Sequence, residues 1–525
     1  MSRPGFVLEV DERTPALLVH EGEGFRLEKL PLGSRVVYPP ESLPAIRDLD
    51  ARIRHALLHP LGSEPLPALL KAGMRLTIVF DDLSIPLPPM RTPDIRQRVI
   101  EHVLELAAAA GVDDVELIAG NALHRRMTPA ELKRTVGERV YRSFFPRHLR
   151  NHDAEDRANL LEVGTTKHGE VVEINKRAAT SDLIVYVNVS LTAMSGGPKS
   201  VSVGLASYRS LKHHHNVHTL RHSRSFNDPP NSAMHHSYDR MAGVLDEHVK
   251  IFQIETTVNN DTFPTQLGFL NKREWEWSLK DQASYLAVKR ANDLTPVKRR
   301  RQIWHRTAAP YGVTSVTAGA PAEVHPVTLG HVLRQQLTEV DGPADIGIWG
   351  LPYICPYNVN SIMNPILMMS LGLGYFFNLY RGQPMVRPGG VAIYYHPVRN
   401  EFHPVHHPSY IDFYEEVLAE TTDPVAIEAK YEEQFATDPW YIHLYRNSYA
   451  YHGVHPLYMW YWGAHALEHL GQVIVVGGDR RTTARMGFRA ASTLDDALEM
   501  AREKVGSSPS ITYLHTPPLV MADVR

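Results

Sequence analysis

Three side chains with reactive chemistry stand just beyond apolar runs of the chain, and a fourth lies in a histidine run. The segment Ser195-Gly196-Gly197-Pro198-Lys199 follows one such run. Glycines let a backbone approach a ligand closely, and a lysine behind them can pair with a phosphate or act as a covalent nucleophile. The segment lacks the G-x-x-x-x-G-K-[ST] spacing of a P-loop, so an ordinary turn competes with a binding loop. His215 stands sixteen places after Lys199, in the run His213-His214-His215. Imidazole is a ligand for Zn, Cu, Fe or Ni, although such a run also suits a polar surface segment. His124, beside Arg125, occupies a loop suited either to proton transfer or to capping the next helix. Asp82 ends a further apolar run. His465-Ala466-Leu467-Glu468-His469 has the H-x-x-E-H pattern of inverted zinc proteases. The chain then turns at Gly471 into another apolar run without a following acidic helix, which argues against that chemistry. His396, His403, His406 and His407 cluster loosely, with no ligand spacing.

The elements that position these residues alternate between strand and helix. Leu76–Phe80, Val115–Ala119 and Leu183–Val189 are short apolar runs that read as buried strands. Thr92 and Pro93 read as an N-cap and first helical position, with Ile95, Val99, Ile100, Val103 and Leu104 on one helix face and Gly111 as the stop. Thr128-Pro129-Ala130-Glu131 is a capping box. A second α/β pattern begins near Ala344, with strands Ile346–Trp349, Val391–Tyr395 and Gln472–Val476 and a last helix from about Thr493 to Val505. Ile366 to Tyr380 reads as a buried core helix. The expected fold is α/β with two domains, each a mostly parallel sheet flanked by helices, and an active site in the cleft between them. The expected division is 1–318 for the cofactor-anchoring domain, with 507–525 as a candidate completion, and 319–506 for the second domain. In such sheets ligands sit beyond the carboxyl ends of strands, where Asp82, His124 and Lys199 all fall.

Composition narrows the partners. Lys and Arg number 55 against 58 Asp and Glu, a formal charge of −3. A polyanion binder needs a basic surplus, so no nucleic-acid partner is expected, and the basic run Lys298–Arg301 reads as a solvated helix end. The lone Cys355 excludes an intramolecular disulfide and any cysteine-rich metal site. With no signal-peptide layout at the N-terminus and no clean apolar span of about 20 residues, the expectation is a cytoplasmic protein with no membrane partner. Histidine is the outlier, at 29 residues, which favours metal or proton-transfer chemistry without locating it.

Taken together, the pieces resemble the nickel-dependent lactate racemase family. The resemblance rests on Asp82 after a strand, G-N-x-L-H-R at Gly120–Arg125 with Met127-Thr128, Asn151-His152-Asp153, SGGPKSVSVGLASY from Ser195 to Tyr208, and His215. The strand Ala344–Ile348, followed by Pro352, Asn360 and Asn364, and the segment Gly487–Ala501 extend it over about residues 70–505. It implies a nickel-pincer nucleotide covalently attached at Lys199, with His215 as nickel ligand and Asp82, Ser195, Gly196 and Gly197 in the cofactor site. It further implies His124 as the group that takes the hydroxyl proton, and cofactor-making enzymes as partners. The implied activity is racemisation or epimerisation of a 2-hydroxy acid or related hydroxy compound by hydride transfer to the cofactor.

Three departures bear on the substrate. The family's second acid/base histidine lies ten places before the lysine, where this chain has Val189. Its substrate-clamping arginine lies three places after the strand-end aspartate, where this chain has Ile85, which cannot grip a carboxylate. The second domain's Gln and Lys are replaced within the uncharged stretch Asn358–Met369. The expectation is a retained cofactor and a substrate other than lactate, larger or less anionic, held by amides such as Asn358, Asn360 and Asn364 and by aromatics. The second proton acceptor would be His152, His213 or His214, of which His152 is the first choice. Two alternatives remain at this stage: pincer-dependent hydride transfer without stereoinversion, and a non-catalytic cofactor-binding homologue.

Overall fold

A computed structural model describes residues 3–84 and 88–525. Ile85, the residue at the arginine's place, lies outside the described residues. Two large sheets organise the chain. The first runs in the order Val313–Gly319, Ile251–Val258, Leu183–Ser190, Arg75–Asp81, Asp114–Gly120, Leu149–Asn151. Its pairs are parallel except Val313–Gly319 against Ile251–Val258. Every residue of Leu183–Ser190 is buried, as expected of a central strand covered on both faces.

The second sheet has the order Phe6–Glu9, Arg35–Tyr38, Ile511–Leu514, Ala344–Gly350, Val386–Tyr395, Gln472–Val476, Arg489–Ala491. It is parallel from Arg35–Tyr38 onward, and Phe6–Glu9 is antiparallel to its neighbour. The expected division at 318/319 differs from this arrangement. Phe6–Glu9 and Arg35–Tyr38 from the first expected unit, and Ile511–Leu514 from its candidate completion, pair inside the second sheet. The α/β class with mostly parallel, helix-flanked sheets holds.

Two local expectations are corrected. The helix after the first strand is Ile95–Ala109, capped by Asp94 rather than Thr92. The Asp94 carboxylate accepts from the Arg96 amide at 2.9 Å and also grips the Arg96 guanidinium, so it outcompetes a threonine hydroxyl. The expected helix to Tyr380 is Pro365–Met369 continuing into a wide π turn, Ser370–Phe376, and Tyr380 opens a short strand. All of Pro365–Phe376 is buried, as read.

Arg96 ties the first strand to this helix. Its guanidinium pairs with Asp94 at 2.7 Å and donates to the carbonyls of Asp81 (2.8 Å) and Asp82 (2.6 Å), with Arg96, Asp94 and Asp82 buried. Removing one partner of a buried pair leaves an uncompensated charge. Arg96→Met should therefore cost about 3–5 kcal/mol in urea unfolding at pH 7. Adding Asp94→Asn to the same chain should recover part of that loss.

Candidate active site

Strand ends of the first sheet and two segments of the second half enclose a cavity of about 190 Å³. Asp81 and Asp82 leave the Arg75–Asp81 strand, His124 the loop after Asp114–Gly120, and Ser195, Gly196 and Lys199 the loop after Leu183–Ser190. His215 completes this side, and Pro356, Tyr357, Tyr375 and Trp462 form the opposite wall. Side chains far apart in sequence are thus brought to one place by parallel strand topology.

His124 is held by Asp82. Its Nδ1 lies 2.9 Å from Asp82 Oδ2 and 3.0 Å from Ser84 Oγ. The carboxylate fixes Nδ1 as the protonated nitrogen and leaves Nε2 free to accept a proton. Burial opposes ionisation of Asp82, but His124 and the Ser84 amide and hydroxyl outweigh it and hold the carboxyl below its usual range. The neighbouring Asp81 behaves oppositely. It accepts from Asn188 Nδ2 (2.8 Å) and the Val189 amide (2.7 Å), yet burial pushes it up to about 6.

Lys199 is half-buried, with its ammonium turned inward 5.5 Å over the Tyr238 ring. Burial lowers it to about 8, against the pull of Asp81 and Glu255. The glycine loop is shaped around that same glutamate. Gly196 and Gly197 both have φ near +82, and a Cβ on either would strike Glu255 and Ser190 or His325. Glu255 takes the Gly197 amide at 2.6 Å and faces His325 at 3.2 Å. His215 is kept neutral by burial and by nearby His124 and Lys199, with its pKa lowered to about 3. Its Nδ1 lies 2.7 Å from His214 Nδ1, which leaves Nε2 as the nitrogen available to a ligand. Lys199 and His215 are the pair suited to anchoring a cofactor. Among the described residues no three His, Cys, Asp or Glu side chains are grouped to hold a metal unaided.

Several expected site residues are placed elsewhere. His152 is fully buried, with Nε2 on the Ala206 carbonyl at 3.0 Å and Nδ1 near Asn175; it does not line the cavity. Burial lowers it to about 4. His213 and His214 do not line the cavity either. Asn358 closes a turn between Tyr353 and Cys355, and Asn364 caps the Pro365–Met369 helix. Asn360, at φ +55, donates to Glu131 at 2.8 Å. All three amides serve backbone turns or a side-chain pair, so the substrate role assigned to them is withdrawn. The protease-like histidines are engaged too: His465 with Tyr380 and His469 with the Val386 carbonyl.

The sequence reading missed Asp81, Tyr357, Tyr375 and Trp462. Asp81 was visible only as half of an acidic pair at a strand end. The aromatics were hidden by their resemblance to core.

The site is therefore that of an α/β protein with a carboxylate-held imidazole and an inward-turned lysine at the carboxyl ends of a parallel sheet. Residues 24–228 match the lactate racemase N-terminal domain family. Over 167 residues the chain is 26% identical to the lactate racemase of Thermoanaerobacterium thermosaccharolyticum, and over 168 residues 27% identical to that of Lactiplantibacillus plantarum. Each alignment covers 31% of this chain and 37% of the relative, so the chain spans little more than a third of either by sequence. The fold agrees over a greater length. The lactate racemase apoprotein structure from T. thermosaccharolyticum has a TM-score of 0.64 at 17% identity, covering 97% of this chain and 99% of that one. A Thermotoga maritima protein has a TM-score of 0.52 at 13% identity, covering 91% and 98%. The chain is thus similar to lactate racemases in sequence over residues 24–228 and in fold over nearly its whole length.

Asp81 supplies a pH signature. With its folded pKa raised, its contribution to stability is full below the ordinary aspartate value of 3.8 and is lost as pH rises through about 6. Asp81→Asn removes that loss. The stability of the variant relative to the parent chain should rise by about 1 kcal/mol between pH 5 and pH 8, read from paired unfolding curves.

Proposed function

We propose that this protein is a racemase or epimerase of a hydroxy compound other than lactate, acting with a nickel-pincer nucleotide. The observation that supports this reading is the convergence of Asp82-held His124, unpaired Lys199 and neutral His215 on one cavity. The residues fit the group at both anchors. Lys199 has no carboxylate within ion-pair distance among the described residues, and part of its population is an unprotonated amine near pH 8. His215 offers an uncharged imidazole nitrogen. When bound, the cofactor supplies the hydride acceptor for the carbinol carbon.

The chain's own part is proton handling and orientation. His124 Nε2 takes the hydroxyl proton of the substrate, and Asp82 stabilises the resulting imidazolium. Inversion needs a second proton site on the other side. Val189 stands at the family's second-histidine position, and Asp81 lies against its amide and lines the same cavity. Asp81, with a pKa near that of a histidine, takes the second role in this reading. The wall of Tyr357, Tyr375 and Trp462 limits water around the reacting carbon.

Co-expression with cofactor-making enzymes tests the proposal. Intact mass should show an addition at Lys199, with one nickel per chain, and Lys199→Ala should abolish both. His124→Ala should keep the mass addition and the nickel while lowering turnover about 10²–10⁴-fold. An unmodified Lys199 in a nickel-free chain would overturn the proposal.

A further inference from the structure

The charges around the cavity carry the reading further. We infer that the substrate is an uncharged polyhydroxy compound, of sugar or cyclitol type, rather than a 2-hydroxy acid. This rests on the cofactor reading, which commits Lys199 to the cofactor.

Among the described residues lining the cavity, Lys199 is the sole Lys or Arg. The arginines nearest in the chain are spent on other partners. Arg125, next to His124, forms a two-point pair with Glu131 at 2.9 and 2.8 Å and donates to the Val359 carbonyl at 3.1 Å. Arg96 is held by Asp94 and by the carbonyls beneath the site. The three residues outside the description near this loop are Ile85, Pro86 and Leu87, none of them charged. With the lysine taken, a substrate carboxylate would enter a largely buried space with no Lys or Arg side chain to grip it and two carboxyl groups, Asp81 and Asp82, already lining the wall. Desolvating an unpaired carboxylate is strongly unfavourable even after relaxation, and like charges add to that.

The same wall suits hydroxyl groups. Tyr357 and Tyr375 hydroxyls lie 2.7 Å apart, so one donates to the other and the second keeps its O–H for a ligand. Each oxygen also keeps a lone pair. Burial pushes both phenols up, so both stay protonated. The Trp462 ring packs 5.8 Å from Tyr375, and together they offer a broad aromatic surface to the C–H face of a ring or chain polyol. A site built to hydrogen-bond hydroxyls discriminates strongly against ligands that leave those groups unpaired.

Calorimetric titration of the matured protein tests this, with the Lys199 adduct scored by intact mass in the same sample. The probes are myo-inositol, D-glucose and D-mannose against D- and L-lactate, mandelate and gluconate. At least one neutral probe should bind tenfold or more tightly than every hydroxy acid. Tyr375→Phe should weaken that binding about tenfold with an unchanged melting temperature. With the adduct present, preference for a hydroxy acid, or no binding of any neutral probe, overturns the inference. So does a Tyr375→Phe variant that binds as well as the parent chain. Absence of the adduct defeats the cofactor reading instead, and the substrate assignment falls with it, because Lys199 would be free to meet a carboxylate.

Discussion

One guanidinium fixes the geometry on which the site depends. Arg96 holds Asp94 through two nitrogens and turns the third onto the carbonyls of Asp81 and Asp82. A planar fork can satisfy a carboxylate and two backbone oxygens at once, which an ammonium cannot do with the same rigidity. The strand end is thereby pinned where the Asp81 and Asp82 side chains diverge. Asp81 goes to Asn188 and Val189 on the neighbouring strand, and Asp82 goes to His124. Asp82 is the first residue past the strand, so the acidic pair lines one cavity while its two carboxyls meet different partners.

Those environments set the two protonation states apart. Asp82 has a histidine and a serine hydroxyl as partners, and its charge is held. Asp81 has a like charge next door, and burial outweighs its amide donors and the pull of Arg96. Groups of one chemical type whose surroundings push their pKa values apart are suited to different proton-transfer roles. Lys199 completes the balance. Its amine is buried among Asp81, Glu255 and the Tyr238 ring, and desolvation brings it within reach of the neutral form that a covalent anchor requires.

Legibility in the sequence followed the range of the interaction that decides each feature. Leu76–Phe80, Val115–Ala119 and Leu183–Val189 read as strands because burial on both faces demands nearly continuous apolar runs. Thr128 read as a cap because a capping box is complete within four residues. The sheet that joins Arg35–Tyr38 to Ile511–Leu514 was not readable, since nothing local in either strand names so distant a partner. Asn358, Asn360 and Asn364 looked like ligand amides because the stretch around them is uncharged. Asparagine side chains, however, readily satisfy nearby backbone groups, and two of the three do so here. The reverse error hid Tyr357 and Tyr375. A tyrosine in an apolar run reads as core, and only the π turn and the opposing strand ends bring its ring to a cavity.

The abundance of histidine has a physical use beyond ligation. His407, Tyr410, Tyr451, His455 and Tyr357 stack and tilt against one another beside His124, with Tyr410 hydrogen-bonded to His455 Nδ1 at 2.6 Å. Burial holds His407 and His455 neutral, so they act as polar aromatics rather than as charges. His455 lies 5.5 Å from His124, ring centre to ring centre. A proton gained by His124 does not pass to it, because charging a second buried imidazole beside the first is opposed by desolvation and by repulsion. The proton stays on the ring that Asp82 holds. The aromatic packing thus surrounds the Asp82–His124 pair with rings, and low local polarity strengthens that one interaction.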